Sequence, residues 1–349
     1  MRITQRQITN NYMYNINNTL GKYAGQFEKL ETGRGFERLS QNVSLGKKAL
    51  RNRTAIYRNA QYSANVESAK EQMSAAENAL MSINDQVQNV SSLAEKAMNG
   101  TNTDERSRKI FSAALEETKR GMLDNLNSMH LDKYILGGTN GETPYTVGES
   151  GELLFNGTPA SEITGDAGSY VDANGDPVEL SGVTYVDIGL GLKLSPDGEN
   201  FDENSVFKMT FPGLEWTGYG SSEITYEDKS GVEVTETVSN NMYDILTQMQ
   251  SALDANDTER LGALREHLEN GFDDLLVGIA NLGTRAAFLE SKGAQLEDEA
   301  TDLEIIRKNV EGINETDEIT KMQEYSQSWL LTLRFGSQIL PQSLMDYIR

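Results

Sequence analysis

The chain has 349 residues, 53 of them acidic and 31 basic, for a net charge of −22. It is therefore not built to grip a phosphate backbone, and nucleic acid is not an expected partner. It has no cysteine and only two histidines, His130 and His267, which removes thiol nucleophiles, disulfides, Cys-rich zinc sites and histidine clusters.

The first residues, Met1-Arg2-Ile3-Thr4-Gln5-Arg6-Gln7, lack the apolar stretch of a cleavable secretory signal. No later window is apolar enough to span a bilayer, so a membrane is not an expected partner either. Met13, Ile16, Leu20, Tyr23, Phe27 and Leu30 alternate at spacings of three and four, which predicts an amphipathic helix. A longer seam of the same kind runs through Tyr62, Val66, Ala69, Met73, Ala76, Leu80, Ile83, Val87, Val90, Ala94 and Ala97 without one charged residue. Asn99-Gly100 punctuates its end, and Thr103 is placed to cap a new helix with Asp104 and Glu105 in its first turn. Phe111, Leu115, Thr118, Met122, Leu126 and Met129 form the stripe of that helix, predicting an antiparallel hairpin with the first.

Residues 141–235 differ in kind. They hold 15 of the 31 Gly and five of the six Pro, with 18 acidic residues against Lys193, Lys208 and Lys229, a net of −15. Val183–Ile188, Val206–Phe211 and Val232–Thr235 are β-branched and aromatic, and turn clusters such as Asn174-Gly175-Asp176-Pro177 separate them. Short antiparallel strands are the expectation. Helical alternation then returns through Ile279, Leu282, Ala286, Leu289, Gly293, Leu296, Ala300, Leu303, Arg307 and Val310. Its small members, Ala286, Gly293 and Ala300, leave room for a partner helix. Neither terminal stripe has enough apolar surface to hold a helix alone in water, so both are expected to lack partners until they meet a neighbour.

Chemistry-bearing patterns are missing: there is no Walker-type or dinucleotide glycine loop, no nucleophile elbow and no His-Glu-x-x-His. Asp172-Ala173-Asn174-Gly175-Asp176 opens like a calcium loop, but Pro177 and Val183 stand where that loop needs Gly and Glu, so a tight turn is expected. Asp197, Glu199, Asp202 and Glu203 read as a solvated loop, and Trp216 and Trp329 as packing residues. The expectation is a non-enzyme without catalytic residues, cofactor or metal.

Several strings resemble bacterial flagellin and its axial relatives. Leu30-Glu31-Thr32-Gly33-Arg34 is similar to that family's N-terminal Leu-Ser-Ser/Thr-Gly-Lys/Arg element, and Asn99-Gly100-Thr101 before Asp104 and Glu105 to the break between its long N-terminal helices. Asn281-Leu282-Gly283-Thr284-Arg285 and the terminal Ile339–Ile348 resemble its C-terminal elements. Within the family the likeness is nearest to the hook-associated protein 3 branch, through Met1–Gln5, Tyr134-Ile135-Leu136-Gly137-Gly138-Thr139-Asn140 and Ser343-Leu344-Met345-Asp346-Tyr347. It covers residues 1–145 and 237–349. Ser40-Gln41-Asn42-Val43 departs from the family's Ser-x-Asp-Ala/Asp-Pro turn.

The resemblance implies an α+β fold: an elongated, flagellin-like helical bundle or rod from both termini with an inserted β-rich domain. Its expected parts are assembly segments at 1–43 and 314–349, a helical rod domain at 44–140 and 237–313, and the acidic insert at 141–236. It further implies a secreted structural subunit of the flagellum, exported by the type III apparatus and joining hook to filament. The partners would be identical copies in a ring, another hook-associated protein or hook-side subunit, flagellin, and an export chaperone. Two other readings stay open: a bulk flagellin subunit, and an axial protein displaying an adhesin-like central domain. The expected assembly residues are Met13, Ile16, Leu20, Tyr23, Phe27, Leu30, Leu289, Leu296, Leu303, Val310, Leu340, Leu344 and Tyr347.

Overall fold

The computed structural model describes residues 5–36, 38–98, 105–139, 141–166, 169–179, 183–195, 201–209 and 211–339. The fold is α+β. Its helices are α1 (Gln5–Thr32), α2 (Val43–Met98), α3 (Glu105–Leu126), the short α4 (Leu214–Thr217), α5 (Met242–Asp254), α6 (Thr258–Glu311) and α7 (Glu315–Ile339). Between α3 and α5 lie the antiparallel strands β1 (Met129–His130), β2 (Lys133–Tyr134), β3 (Tyr145–Val147), β4 (Leu153–Phe155), β5 (Thr158–Pro159), β6 (Tyr185–Val186), β7 (Phe207–Lys208), β8 (Ser221–Glu227) and β9 (Glu233–Ser239). No described helix is long and apolar enough to cross a membrane.

Packing divides the chain into two units, one within residues 1–60 and 297–349, the other within 61–296. The second unit holds a continuous core. Every member of the α2 seam from Val66 to Ala97 is buried, and Tyr62 packs against its edge. Leu115, Met122 and Leu126 of α3 join it, as do Ile245, Leu246, Met249 and Leu253 of α5. On α6 the seam begins earlier than the sequence pattern first marks it: Leu261, Leu268, Leu275, Leu282, Leu289 and Leu296 stand seven apart, and all are closed to solvent. Gly293 sits at this seam with Val66 in van der Waals reach, as the small layers predict.

The acidic segment has no separate core. Tyr145, Phe155, Tyr170, Phe207, Phe211 and Trp216 belong to the same cluster as the helical seams. Phe207 stacks on Phe288 of α6 with ring centroids 6.2 Å apart. Trp216 lies over Gly278, where an added Cβ would meet the indole, which accounts for a residue that costs about 1 kcal/mol against Ala inside a helix. By packing, the boundaries of the two units fall at residues 60 and 296.

One local expectation also changes. Met129 is half-exposed in β1, not part of the α3 stripe, because α3 ends at Leu126. A two-residue turn, Leu131 and Asp132, both at positive φ, then reverses the chain into β2. His130 accordingly lies on a strand, with Nε2 3.6 Å from the Glu71 carboxylate. The proposed break at Asn99–Asp104, Pro196–Glu199 of the acidic loop, and Ile339-adjacent residues 340–349 lie outside the described residues.

Leu289 lies in the chain's own core, so Leu289→Ala is expected to cost roughly 2–5 kcal/mol, read as a lower thermal midpoint of the isolated protein. An unchanged midpoint would return Leu289 to a surface that meets a neighbour.

Candidate assembly surface

Helices α1 and α7 pack against one another in the first unit. The covered face of α1 carries Tyr12, Ile16, Thr19, Tyr23, Gln26 and Leu30, and that of α7 Glu318, Met322, Tyr325, Trp329, Thr332 and Gly336. Both sets alternate at three and four residues, as an antiparallel helix pair requires. Tyr23 stacks on Trp329 with centroids 6.5 Å apart and planes 9° from parallel. Gln26, buried, donates from Nε2 to the Glu318 carbonyl at 3.2 Å and to the Glu318 carboxylate. Gly336 leaves space for the Tyr12 hydroxyl. The expectation of unpartnered termini thus gives way to a pair joined by a mixed apolar and polar seam, whose Gln26–Glu318 tie fixes register.

This pairing sorts the predicted assembly residues. Ile16, Tyr23 and Leu30 lie on the covered face, whereas Met13, Leu20 and Phe27 point outward and remain 49%, 44% and 55% exposed. These three stand seven apart, so they form one stripe along α1. Helix α7 exposes Ile319, Leu330, Leu331, Leu333 and Phe335. The sequence reading missed these, although five apolar residues within Trp329–Phe335 exceed what one helix face can bury. Leu303 and Val310 are half-buried. Leu289 and Leu296 drop out of the surface because their own core encloses them. Leu340, Leu344 and Tyr347 lie outside the described residues.

The turns that join α1 to α2 and α6 to α7 are tied together. Gly35 donates its amide to the Glu311 carbonyl at 2.8 Å, and Arg34 bridges Gly312. Arg53 grips the Glu311 carboxylate with two nitrogens at 2.7 and 2.6 Å, a fork geometry that only Arg offers. Asn52, buried in the α2 seam, donates to the Leu303 carbonyl at 3.0 Å. Arg34, Arg53, Arg307, Lys308 and Glu311 surround a cleft of about 630 Å³ beside Ile56 and Tyr57.

Among the described residues no group of three or more His, Asp or Glu is arranged to hold a metal ion. Asp172 accepts the amides of Asn174 and Asp176, both at 2.9 Å, and Gly175 takes a positive φ, so this segment is the expected turn. Asp244, unnoticed in the sequence, is buried between β4, β9 and the start of α5. It accepts from the Leu153 amide at 2.7 Å and the Ser239 hydroxyl at 2.8 Å. Burial raises its carboxyl above the usual range, opposed by those two donors. That is the role of a fastener.

The hydrogen bond from Arg53 is the main cause holding the Glu311 carboxyl below its usual value. A depressed carboxylate contributes stability that is present above the ordinary carboxylate range and lost as pH falls through the lowered value. Glu311→Gln should therefore lower the melting temperature at neutral pH and shrink its drop between neutral and acid pH. A variant that melts in parallel with the parent at every pH would deny the pair a part in the fold.

No protein-family model matches the chain, and no curated protein matches it in sequence. Solved structures do match in fold. A Vibrio parahaemolyticus protein assigned to the flagellar hook-associated proteins is 16% identical, with a TM-score of 0.53 over 78% of this chain and 100% of that one. Flagellar hook-associated protein-3 of Legionella pneumophila is 11% identical, with a TM-score of 0.53 over 74% of this chain and 98% of that one. FlgL of Xanthomonas campestris is 15% identical, with a TM-score of 0.51 over 72% and 98%.

Proposed function

We propose that the chain is a secreted structural subunit of the bacterial flagellum that joins hook to filament as a ring of identical copies, and that it is not an enzyme. The observation that carries this reading is the apolar stripe left open on the paired terminal helices: Met13, Leu20 and Phe27 on α1, with Leu330, Leu331, Leu333 and Phe335 on α7. Each helix has already used one face on the other, so further apolar rows serve only a contact outside the chain. Covering each half-exposed side chain contributes on the order of 1 kcal/mol, and the sum over several neighbours is what an ordered assembly needs. The shared fold with solved hook-associated proteins supports the same reading.

On this reading the chain meets a hook-side subunit or another hook-associated protein below, flagellin above, and an export chaperone before assembly, with the C-terminal segment as the chaperone's hold. The two axial contacts are unlike, so the protein need not polymerise with itself along the axis. Its insert faces solvent, and its negative charge keeps it soluble.

In a strain lacking the protein, hooks should persist while unpolymerised flagellin is shed into the medium. A Met13→Glu/Leu20→Glu/Phe27→Glu variant should keep its helix content, with each exposed change within about 0.5 kcal/mol, yet fail to restore filaments. Long filaments grown from the purified protein alone, seen by electron microscopy, would assign it to the bulk filament subunits instead.

A further inference from the structure

Two helices of the first unit carry stretches of a single sign of charge. Residues 38–66 contain Arg38, Lys47, Lys48, Arg51, Arg53 and Arg58 and no acid, in a chain of net charge −22. Residues 297–304 contain Glu297, Asp298, Glu299, Asp302 and Glu304 and no base. Arg53 is committed to Glu311, and Glu304 to Arg307. Lys47, Lys48, Arg51 and Arg58 are exposed without an acidic partner among the described residues, and Asp298, Glu299 and Asp302 are exposed without a basic one.

Helical geometry turns each group into a face. At 3.6 residues per turn Lys47, Arg51 and Arg58 fall within roughly 40° of one another. Beside them runs an apolar row seven residues apart, Val43, Leu50 and Tyr57, exposed at 73%, 52% and 73%. Both rows lie away from the covered side of α2, where Ala49, Asn52 and Asn59 are buried. On α6, Asp298, Asp302 and Ile305 share an arc of roughly 60°, with Glu299 and Ile306 next to it. Ile305 and Ile306 are about half exposed, and this face lies opposite Leu296 and Leu303.

We infer that these two faces are the halves of one contact between neighbouring copies: the basic, apolar-edged face of α2 on one copy receives the acidic, isoleucine-edged face of α6 on the next. Charge complementarity selects a second copy as the occupant, because each face carries the sign that the other lacks and both carry an apolar edge. The contact is heterologous, joining unlike faces, so it repeats from copy to copy and closes into a ring when the rotation allows. A paired coiled-coil seam with opposite charges along its edges has the same design. The inference rests on the proposal that the protein assembles with itself.

Two reversed proteins test it: Lys47→Glu/Arg51→Glu/Arg58→Glu and Asp298→Lys/Glu299→Lys/Asp302→Lys, each first checked for parental helix content by circular dichroism. Sedimentation velocity of the full chain at low salt should show self-association of the parent that weakens as salt rises. Each reversed protein alone should associate at least about tenfold more weakly, since like charges then face each other. An equimolar mixture of the two should regain association, because it restores one native and one swapped face pair. Association of both reversed proteins at the parent's strength, or a mixture that gains nothing, overturns the inference. Immunogold labelling of flagella from complemented cells separates this failure from the wider one. Incorporation of the parent and of both reversed proteins alike removes only this contact, whereas absence of the parent from flagella removes the assembly reading itself.

Discussion

A leucine every seven residues from Leu261 to Leu296, each shut away from water, is the constraint on which the second unit is built. Full burial of such a side chain contributes roughly 1.5–3 kcal/mol, and α6 repeats that gain along one line. The line needs an equally long apolar partner, and the uncharged seam of α2 from Tyr62 to Ala97 supplies it. Helices α3 and α5, packed together, close the sides. Aromatic residues of the acidic segment complete the cover of the helical core. Beyond Leu296 the same heptad continues as Leu303 and Val310, but both are only half-buried. The α2 seam changes there as well, with Asn52 and Asn59 in place of apolar residues. Core burial thus fades at the point where the packing units divide.

Much of this was legible. Eleven positions without a charge, in three-and-four alternation, leave little besides a long buried helix face, and the α2 seam is buried as that pattern predicts. Gly, Pro and β-branched runs placed the strand region correctly, although β6 and β7 are only two residues each. What periodicity does not carry is the identity of the partner. It marks Leu289 as buried without saying whether the cover comes from the same chain. At α1 it joined Met13, Leu20 and Phe27 to Ile16, Tyr23 and Leu30, whereas on the face toward α7 those last three stand with Tyr12, Thr19 and Gln26. A helix that serves two sets of neighbours has two seams, and hydrophobicity alone does not separate them. The contact of Trp216 with Gly278, distant in the chain, leaves no local signal beyond a glycine in a helix.

Electrostatics follow a similar division of labour. Most of the net negative charge lies in residues 141–235, with 18 acids against three lysines, on turns and strand edges where water screens it. Where carboxylates are held close, they fasten the chain to itself: Glu311 to Arg53, Glu236 to Arg260, and Asp244 to the Leu153 amide and Ser239 hydroxyl. The acids described therefore act mainly as solubilising charge and as local ties.

The indole of Trp216 resting on Gly278 limits how this protein can diversify. Replacing the acidic segment would disturb the helical core, since a larger residue at Gly278 demands a smaller one at Trp216, and the stacked Phe207 and Phe288 are coupled in the same way. Substitution is sterically easier at turns such as Asp172–Asp176 and Asp228–Gly231, which face solvent and whose shape is set by their own Asp side chains.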